Sequence, residues 1–276
     1  MFSVIKKSNN RLLPGYKLSF GFTAFYLGFI LIIPLMLVFF KTFSISFDKF
    51  WNIITDVRVL KAYKLSFGAS FIAAVMNSIF GFIVAWSTVR YKFPGRRIID
   101  SLVDLPFALP TAVAGISLTA IFSPTGLLGG FAEKTGIHVV FTPVGVIVAL
   151  TFVGLPFVVR TLQPVIAELD KENEEAAASL NAGRFTIFLK VILPSLKPAM
   201  ITGFTLAFAR ALGEYGSVVF ISGNIPMKTE IAPYLIMTKL EQFDVVEASS
   251  IAVVMLIVSF LILLVINLIQ VRSRKY

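Results

Sequence analysis

Very few charged side chains lie inside the apolar segments of this sequence, and those few are the residues best suited to chemistry. Arg210 and Glu214 interrupt one apolar segment, and Asp104 stands near the start of another. A charge at the centre of a bilayer costs at least about 2.5–3.5 kcal/mol on insertion scales, so such a residue by default indicates a function or a fixed partner. The chemistry that these residues offer is the electrostatic handling of a small ion.

Arg210 is the residue in this set that could neutralise an anion. Ser217 and the backbone N–H groups near Gly213 and Gly216 could add hydrogen bonds to the same anion. A second interpretation is structural: Arg210 and Glu214 are four residues apart, so on a helix they could form an ion pair whose only purpose is to balance each other's charge. The sequence leaves both interpretations open and predicts these five residues as a candidate ion pathway.

Two prolines follow Asp104 in its apolar segment. Pro106 and Pro110 are four residues apart, and a proline breaks or kinks a helix and leaves a carbonyl group without its helical partner. Asp104, Pro106 and Pro110 are therefore predicted to belong to the same pathway, where the prolines could shape a gate. Equally, they could only set the geometry of the helix.

Covalent and metal chemistry have little to work with in this chain. It contains no cysteine and a single histidine, His138, which excludes disulfides, thiol catalysis and Cys/His metal sites. The sequence has no HExxH motif and no GxxxxGK[ST] phosphate-binding loop. We therefore predict no catalytic residue, no metal ligand and no cofactor in the chain, and any chemical energy must come from a partner.

The composition is that of a membrane protein. Hydrophobic residues make up 57% of the chain and charged residues 14%, with a mean hydropathy of +0.87, whereas soluble domains carry about 25% charged residues. The net charge of +10 does not indicate nucleic-acid binding, because the basic residues lie in short loops rather than in one patch. The predicted fold is an all-α polytopic membrane protein with six transmembrane helices, at 18–40, 62–89, 101–122, 143–163, 198–221 and 248–270.

Lysine and arginine predict the orientation of these spans. They are most frequent before the first span, between the second and third, between the fourth and fifth, and after the sixth. The positive-inside rule places these regions and both termini in the cytoplasm. The predicted organisation is an N-terminal region (1–61) with the first span and first outer loop, a transmembrane domain (62–270) with a cytoplasmic loop (168–197), and a cytoplasmic tail (271–276).

The loop between the fourth and fifth spans begins with a predicted helix. Ala176, Ala177 and Leu180 form a small-residue face on it, to which another surface could approach closely. Acidic residues suit the positive N-terminal end of a helix dipole, and five of them lead this segment: Glu168, Asp170, Glu172, Glu174 and Glu175.

A turn and a second predicted helix complete this loop. Asn181 and Gly183 can both adopt a positive φ and end the first helix. We expect Pro194 to stop the second helix, whose apolar face is formed by Phe185, Phe188, Val191 and Ile192. The residues alone fit either a surface hairpin that covers the bundle or a docking surface.

The same loop resembles the EAA loop of ABC importer permeases. Asn181 stands where the family has glycine, and asparagine is the next-best residue for a left-handed turn. The resemblance implies a type I ABC importer (MetI-like) transmembrane domain, in which this coupling loop fits a groove on a cytoplasmic ATPase. The predicted coupling residues include those that match the family pattern: Glu175, Ala176, Ala177, Leu180, Ala182, Leu193 and Pro194. Glu174, Asn181 and Gly183 complete the predicted set.

Two longer segments, Phe93–Gly115 and Phe208–Pro233, resemble the sulfate and thiosulfate permeases of ABC importers (the CysT type). The resemblance implies a subunit of the bacterial inner membrane that works with a CysW-type second permease, two CysA-type ATPases that bind ATP and Mg²⁺, and an extracytoplasmic sulfate-binding protein. It also adds a third interpretation of Arg210, which could dock to the second permease.

Two other functions stay open. The near relatives of this family include molybdate and tungstate permeases, which would share the coupling loop. A protein of a different class, an ATP-independent secondary anion carrier, would need no ATPase and no such loop.

Overall fold

The computed structural model describes residues 15–273, so residues 1–14 and 274–276 of the predicted terminal regions lie outside the described part. Every regular element within 15–273 is helical, as predicted. The helices are α1 Tyr16–Leu27, α2 Ile33–Phe43, α3 Phe47–Ile54, α4 Val57–Arg90, α5 Arg96–Val103, α6 Leu105–Ala108, α7 Thr111–Phe122, α8 Gly129–Lys134, α9 Pro143–Ala167, α10 Lys171–Ser179, α11 Arg184–Ile187, α12 Leu193–Leu212, α13 Gly216–Ser222, α14 Ala232–Glu241 and α15 Val245–Ser273.

Five of the six predicted crossings correspond to helices that are long and apolar enough to cross a membrane. Within the described residues these are Leu18–Phe43, Val57–Arg90, Pro143–Ala167, Arg184–Leu212 and Val245–Gln270. The first joins α1 and α2 through a π-helical turn, Gly28–Ile32, and its side chains are exposed along nearly its whole length. That exposure is expected of a helix that faces lipid.

The predicted third span, 101–122, is not one helix. It is divided into α5, α6 and α7, with breaks at Asp104 and at Leu109–Pro110. Leu109 is extended (φ −91°, ψ 137°), because the ring of a following proline disfavours helical backbone at the residue before it. Pro106 lies in the first turn of α6, where a missing N–H is tolerated. The segment around the two prolines is therefore broken, as the sequence predicted; the break fits both the gate and the purely geometric interpretation.

The bounds predicted for the fifth span, 198–221, are wrong at both ends. The helix begins at Arg184, inside the predicted coupling loop, and ends at Leu212. Gly213 caps α12, and the chain restarts as the short helix α13 at Gly216. The fifth crossing is thus a long helix followed by a break and a short helix.

The core of the bundle is formed where α4, α9 and α12 pack together. The face of α4 that they bury consists almost entirely of small residues, which lets the helices approach closely, as in other membrane proteins. A Cβ atom at Gly81 would lie 2.8 Å from Cγ1 of Val158, and a Cβ atom at Gly203 would lie 3.2 Å from Cα of Val158. The buried residues of α4 are Val59, Ala62, Ser66, Ala69, Ser70, Ala73, Ala74, Asn77, Gly81, Ala85 and Thr88.

Candidate functional site

The first part of the candidate coupling surface is the helix α10. Asp170 caps its N-terminus, where the side chain accepts a hydrogen bond from the backbone N–H of Glu172 (3.4 Å). Glu172 and Glu174 lie in the first turn, where the helix dipole favours negative charge. The acidic lead of the loop therefore starts the helix, as predicted.

The turn after α10 is built on Asn181. Its φ of 61° is left-handed, which confirms the predicted positive φ. The N–H of Asn181 donates to the carbonyl of Ala178 (2.9 Å) and the N–H of Ala182 to that of Ala177 (3.1 Å), the two bonds of a Schellman motif. The prediction for Gly183 is wrong: its φ is −67° with an extended ψ, and it caps the N-terminus of α11.

An apolar surface is exposed around this turn. Leu180 is 85% exposed and Phe185 74%, and Glu175 and Ala176 beside them are also exposed. Ala177 and Ala182, in contrast, are half-buried. Large apolar side chains that face outward can mark an interaction surface, so α10 and its turn are a candidate docking surface.

Glu174 ties this docking surface to the end of α4. Its carboxylate forms an ion pair with the guanidinium of Arg90, the last residue of α4. That guanidinium also lies over the ring of Trp86, 5.0 Å from the ring centre, an arrangement that favours a cation. Both charged side chains are partly shielded from solvent, so the pair is a firmer link than a fully exposed one.

The second helix of the loop does not stop at Pro194, which corrects the prediction. A π-helical turn, Phe188–Ile192, comes just before it, and the N–H of Leu193 donates to the carbonyl of Phe188. The wider turn accommodates the residue that has no N–H to donate. Leu193 and Pro194 therefore lie at the start of α12, within one continuous helix.

The Arg210 and Glu214 side chains meet, as the structural interpretation predicted. Nη1 of Arg210 lies 2.6 Å from Oε2 of Glu214. The other carboxylate oxygen of Glu214 accepts bonds from the backbone N–H (2.9 Å) and the hydroxyl (2.8 Å) of Ser217. Glu214 is only 2% exposed, so these contacts are what make its burial tolerable. The hydroxyl of Ser217 is thus already used within the chain.

The two glycines beside this pair have different roles. Gly213 ends α12, with open space around the position of a Cβ atom. Gly216 packs against the broken third crossing, since a Cβ atom there would lie 2.1 Å from Oγ1 of Thr111. Gly115 on α7 lies equally close to α13, since a Cβ atom there would lie 2.4 Å from the carbonyl oxygen of Ser217. Gly216 therefore allows α7 and α13 to pack together.

Asp104 does not lie with Arg210 but in a second charged cluster, around Arg160 of α9. Nε and Nη2 of Arg160 donate to the two carboxylate oxygens of Asp104 (2.8 and 2.5 Å). Nη1 of Arg160 donates to Asp100 (2.8 Å) and to Gln163 (2.6 Å). Gln163 in turn donates to Asp100 (2.8 Å) and to the hydroxyl of Thr88 on α4 (3.0 Å). We call these five residues the Arg160 cluster.

The Arg160 cluster joins α4 and α9 to the segment around the first break of the third crossing. The bidentate pair between Arg160 and Asp104 has the planar geometry that a guanidinium and a carboxylate favour. The hydrogen bond from Gln163, and then the bond and charge of Arg160, hold the pKa of Asp100 below its usual value, against the opposing effect of partial burial. Asp104 is therefore positioned by a cation of its own chain.

A model of the family described as "Binding-protein-dependent transport system inner membrane component" matches residues 77–275. The chain belongs to this family. Among its relatives is the sulfate transport system permease protein CysT of Salmonella typhimurium, 46% identical over 265 residues, which are 96% of this chain and 96% of that protein. The CysT protein of Escherichia coli K12 is 46% identical over 272 residues, or 99% of this chain and 97% of that one.

Solved transporter structures share the fold of this family member. A subunit of a bacterial ABC transporter for the import of the polysaccharide alginate superposes with a TM-score of 0.77 at 15% identity, covering 94% of this chain and 96% of that one. A structure of the alginate ABC transporter in complex with a periplasmic protein gives 0.76 at 16% identity, with 94% and 95% coverage. These matches confirm the predicted ABC importer membrane fold.

The sequence prediction missed two arginines that the structure makes central. Arg160 lies in an apolar segment, so the argument that identified Arg210 applies to it equally. In the sequence, Arg90 counts only among the basic residues that predict the membrane orientation of the spans. Its ion pair with Glu174 joins residues 84 positions apart. No local pattern marks a contact at that distance along the chain.

Proposed function

We propose that this chain is the transmembrane permease subunit of an ATP-driven importer of sulfate and thiosulfate. The observation that carries the proposal is similarity to sulfate transport system permease proteins at 46% identity over nearly the whole length of both chains. The family description and the alginate importer structure with its periplasmic protein support a binding-protein-dependent mechanism.

The coupling surface supplies the connection to ATP. In this proposal, Leu180 and Phe185 with the exposed part of α10 enter a groove on a cytoplasmic CysA-type ATPase, whose two copies hold ATP and Mg²⁺. Burial of these two side chains would contribute about 1.5–3 kcal/mol each. The side of the membrane that carries α10 is then the cytoplasmic side, and the basic residues around it favour that orientation of both termini.

Two connections carry movement of α10 into the membrane. The helix Arg184–Leu212 runs without interruption from the coupling turn to the break at Gly213, so a displacement at its start is delivered to Glu214. The Arg90–Glu174 pair passes the same displacement to α4. In this way, closure of the ATPase dimer would switch the bundle between inward and outward openings.

The pathway for the anion is proposed to pass the break in the fifth crossing. The side chain of Arg210 keeps 32% of its surface exposed while Glu214 is buried, so an anion on the exposed side meets the cation first. Because Glu214 already balances that charge, the guanidinium attracts an anion without trapping it. The CysW-type permease supplies the other wall, and the extracytoplasmic binding protein supplies most of the selectivity.

Uptake of radiolabelled sulfate tests the proposal. Cells without their own sulfate importer would express this chain with the neighbouring permease, ATPase and receptor genes, with thiosulfate and molybdate as competitors. We expect ATP-dependent sulfate uptake that is lost when this chain is omitted and that thiosulfate inhibits. Accumulation of molybdate without sulfate would transfer the proposal to molybdate permeases, and uptake without the ATPase would indicate a secondary carrier.

A further inference from the structure

A polar cavity of about 570 Å³ lies at the end of the bundle opposite the coupling surface. The helix α4 shows that the cavity and the coupling surface lie at opposite ends. Its last residue, Arg90, pairs with Glu174 of α10, whereas Arg58 in its first turn lines the cavity. At 34 residues, α4 is about 51 Å long and exceeds the roughly 30 Å hydrocarbon core. Residues of α3 and α14 and of the first turns of α4 and α15 line this cavity, so it lies at the level of a membrane–water interface.

The short helix α3 closes one side of this cavity and has the character of an interfacial helix. Phe47 and Trp51 stack on each other on its outer face, with ring centres 6.1 Å apart, and both are exposed. Ile53 is buried against the bundle. Aromatic side chains of this kind concentrate where headgroups meet the acyl chains. Lys49 and Asn52 of the same helix line the cavity.

The walls of the cavity carry charges of both signs. Arg58 uses Nε and Nη2 for two 2.7 Å bonds to the buried carboxylate of Glu230, and Lys239 forms an ion pair with Glu247. Asp56 accepts the backbone N–H of Arg58 (2.8 Å). Lys49, in contrast, has no carboxylate within 4 Å in the part of the chain that the structure describes. The cavity thus combines one free ammonium group with accessible carboxylate oxygens.

We propose that this cavity binds the headgroup of a zwitterionic phospholipid that carries a primary ammonium group, as phosphatidylethanolamine does. The phosphate would accept hydrogen bonds from the ammonium of Lys49, the amide of Asn52 and the remaining Nη1 group of Arg58. The lipid ammonium would donate to the carboxylates of Asp56 and Glu247. The volume is within the roughly 300–1,000 Å³ of small-molecule sites.

The balance of charge selects the zwitterion over a free inorganic dianion. The carboxylates of Asp56, Glu230 and Glu247 offset the cations of the cavity, so a sulfate or phosphate ion would meet repulsion together with attraction. A phosphate that carries its own ammonium group meets a partner at both ends. A trimethylammonium headgroup has no N–H to donate to the carboxylates, so phosphatidylcholine should bind more weakly.

Thermal denaturation of the full-length chain, purified with the subunits that accompany it and stripped of lipid in detergent, tests the site. Added phosphatidylethanolamine should raise the midpoint temperature of the wild type, and Lys49→Ala should weaken the apparent lipid affinity by about tenfold, the loss of one charge-assisted contact. Lys61→Ala is the matched control, since Lys61 is exposed on α4 without lining the cavity, and it should respond as the wild type does. Lys49 is exposed, so its substitution leaves the fold intact.

Three results would overturn the proposal. One is a Lys49→Ala response to phosphatidylethanolamine equal to that of the wild type. Another is an equal response to phosphatidylcholine. The third is a Lys49-dependent rise with sodium sulfate or inorganic phosphate in the absence of lipid, which would assign the cavity to a free oxyanion. Native mass spectrometry should independently show less co-purified phosphatidylethanolamine with Lys49→Ala than with Lys61→Ala.

Discussion

At the scale of single residues, the burial of Glu214 decides how Arg210 must be studied. The carboxylate is 2% exposed and takes its cation from Arg210. Removing one member of a buried pair leaves a charge without compensation, which generally costs more than removing both. A loss of transport after substitution of Arg210 alone would therefore mix two causes, an unstable bundle and a missing cation in the pathway.

We predict that Arg210→Gln lowers the free energy of unfolding by about 3 kcal/mol, because Glu214 loses its partner. The double variant Arg210→Gln with Glu214→Gln should recover most of this stability, since both charges are gone and glutamine can still bond with Ser217. Thermal denaturation in detergent measures the stability, and sulfate uptake measures the function. If the double variant regains both stability and full uptake, Arg210 has no role in the pathway beyond its pair.

At the scale of elements, glycine sets the contact between the two broken crossings. A Cβ atom at Gly115 would lie 2.4 Å from the backbone oxygen of Ser217, which cannot yield as a flexible side chain would. We predict that Gly115→Ala separates α7 from α13 and destabilises the protein by about 1–3 kcal/mol. Gly68→Ala is the control on the exposed face of α4, with open space around it, and it should stabilise by about 0.5–1 kcal/mol. Equal midpoint temperatures for the two variants would contradict this packing.

The Arg160 cluster joins several elements, and one of its members, Asp100, has a carboxylate whose pKa is lowered. Because the pKa of Asp100 is below its usual 3.8 in the folded protein, its contribution to stability is present above that value and is lost as pH falls. We predict that Asp100→Asn destabilises the protein by on the order of 1 kcal/mol or less, as for other half-exposed pairs. The difference from wild type should be constant above about pH 5 and shrink below about pH 4.

Thermal denaturation from pH 3 to pH 8 measures this difference. A gap between wild type and Asp100→Asn that widens as the solution is acidified would contradict the assignment.

At the scale of the whole molecule, the proposed function requires the coupling surface to bind an ATPase. We predict that Glu175→Lys leaves the membrane fold intact, because Glu175 is exposed, and weakens ATPase association by at least about tenfold. Glu172→Lys makes the same charge change on the same helix, outside the residues that match the family pattern, and should have a smaller effect. Co-purification of the subunits measures both. Normal ATPase stoichiometry with Glu175→Lys would remove that residue from the docking surface.

The sequence was sufficient for features that depend on local chemistry. Apolar length predicted five of the six crossings, and the conformational freedom of asparagine predicted the left-handed turn at Asn181. It was insufficient where distant segments decide the outcome. The partner of Asp104 is Arg160, 56 positions further along the chain, and this outcome requires knowledge of which surfaces meet in three dimensions. Pro194 is a local exception: it continues a helix because a wider turn precedes it.

The π-helical turn Phe188–Ile192 has a consequence for the direction of the long helix. A π turn contains one residue more than the α turn it replaces, and each residue of an α-helix advances the direction of its side chains by about 100°. Because both kinds of turn complete about one revolution, the extra residue is absorbed, and deleting one residue from this turn should leave Phe185 facing the same direction relative to the break at Gly213. The deletion would instead place Pro194 in a regular helix, where its ring meets the carbonyl of the preceding turn. We therefore expect the deletion to kink the long helix at Pro194 and to weaken transport through a change in the angle of the helix axis.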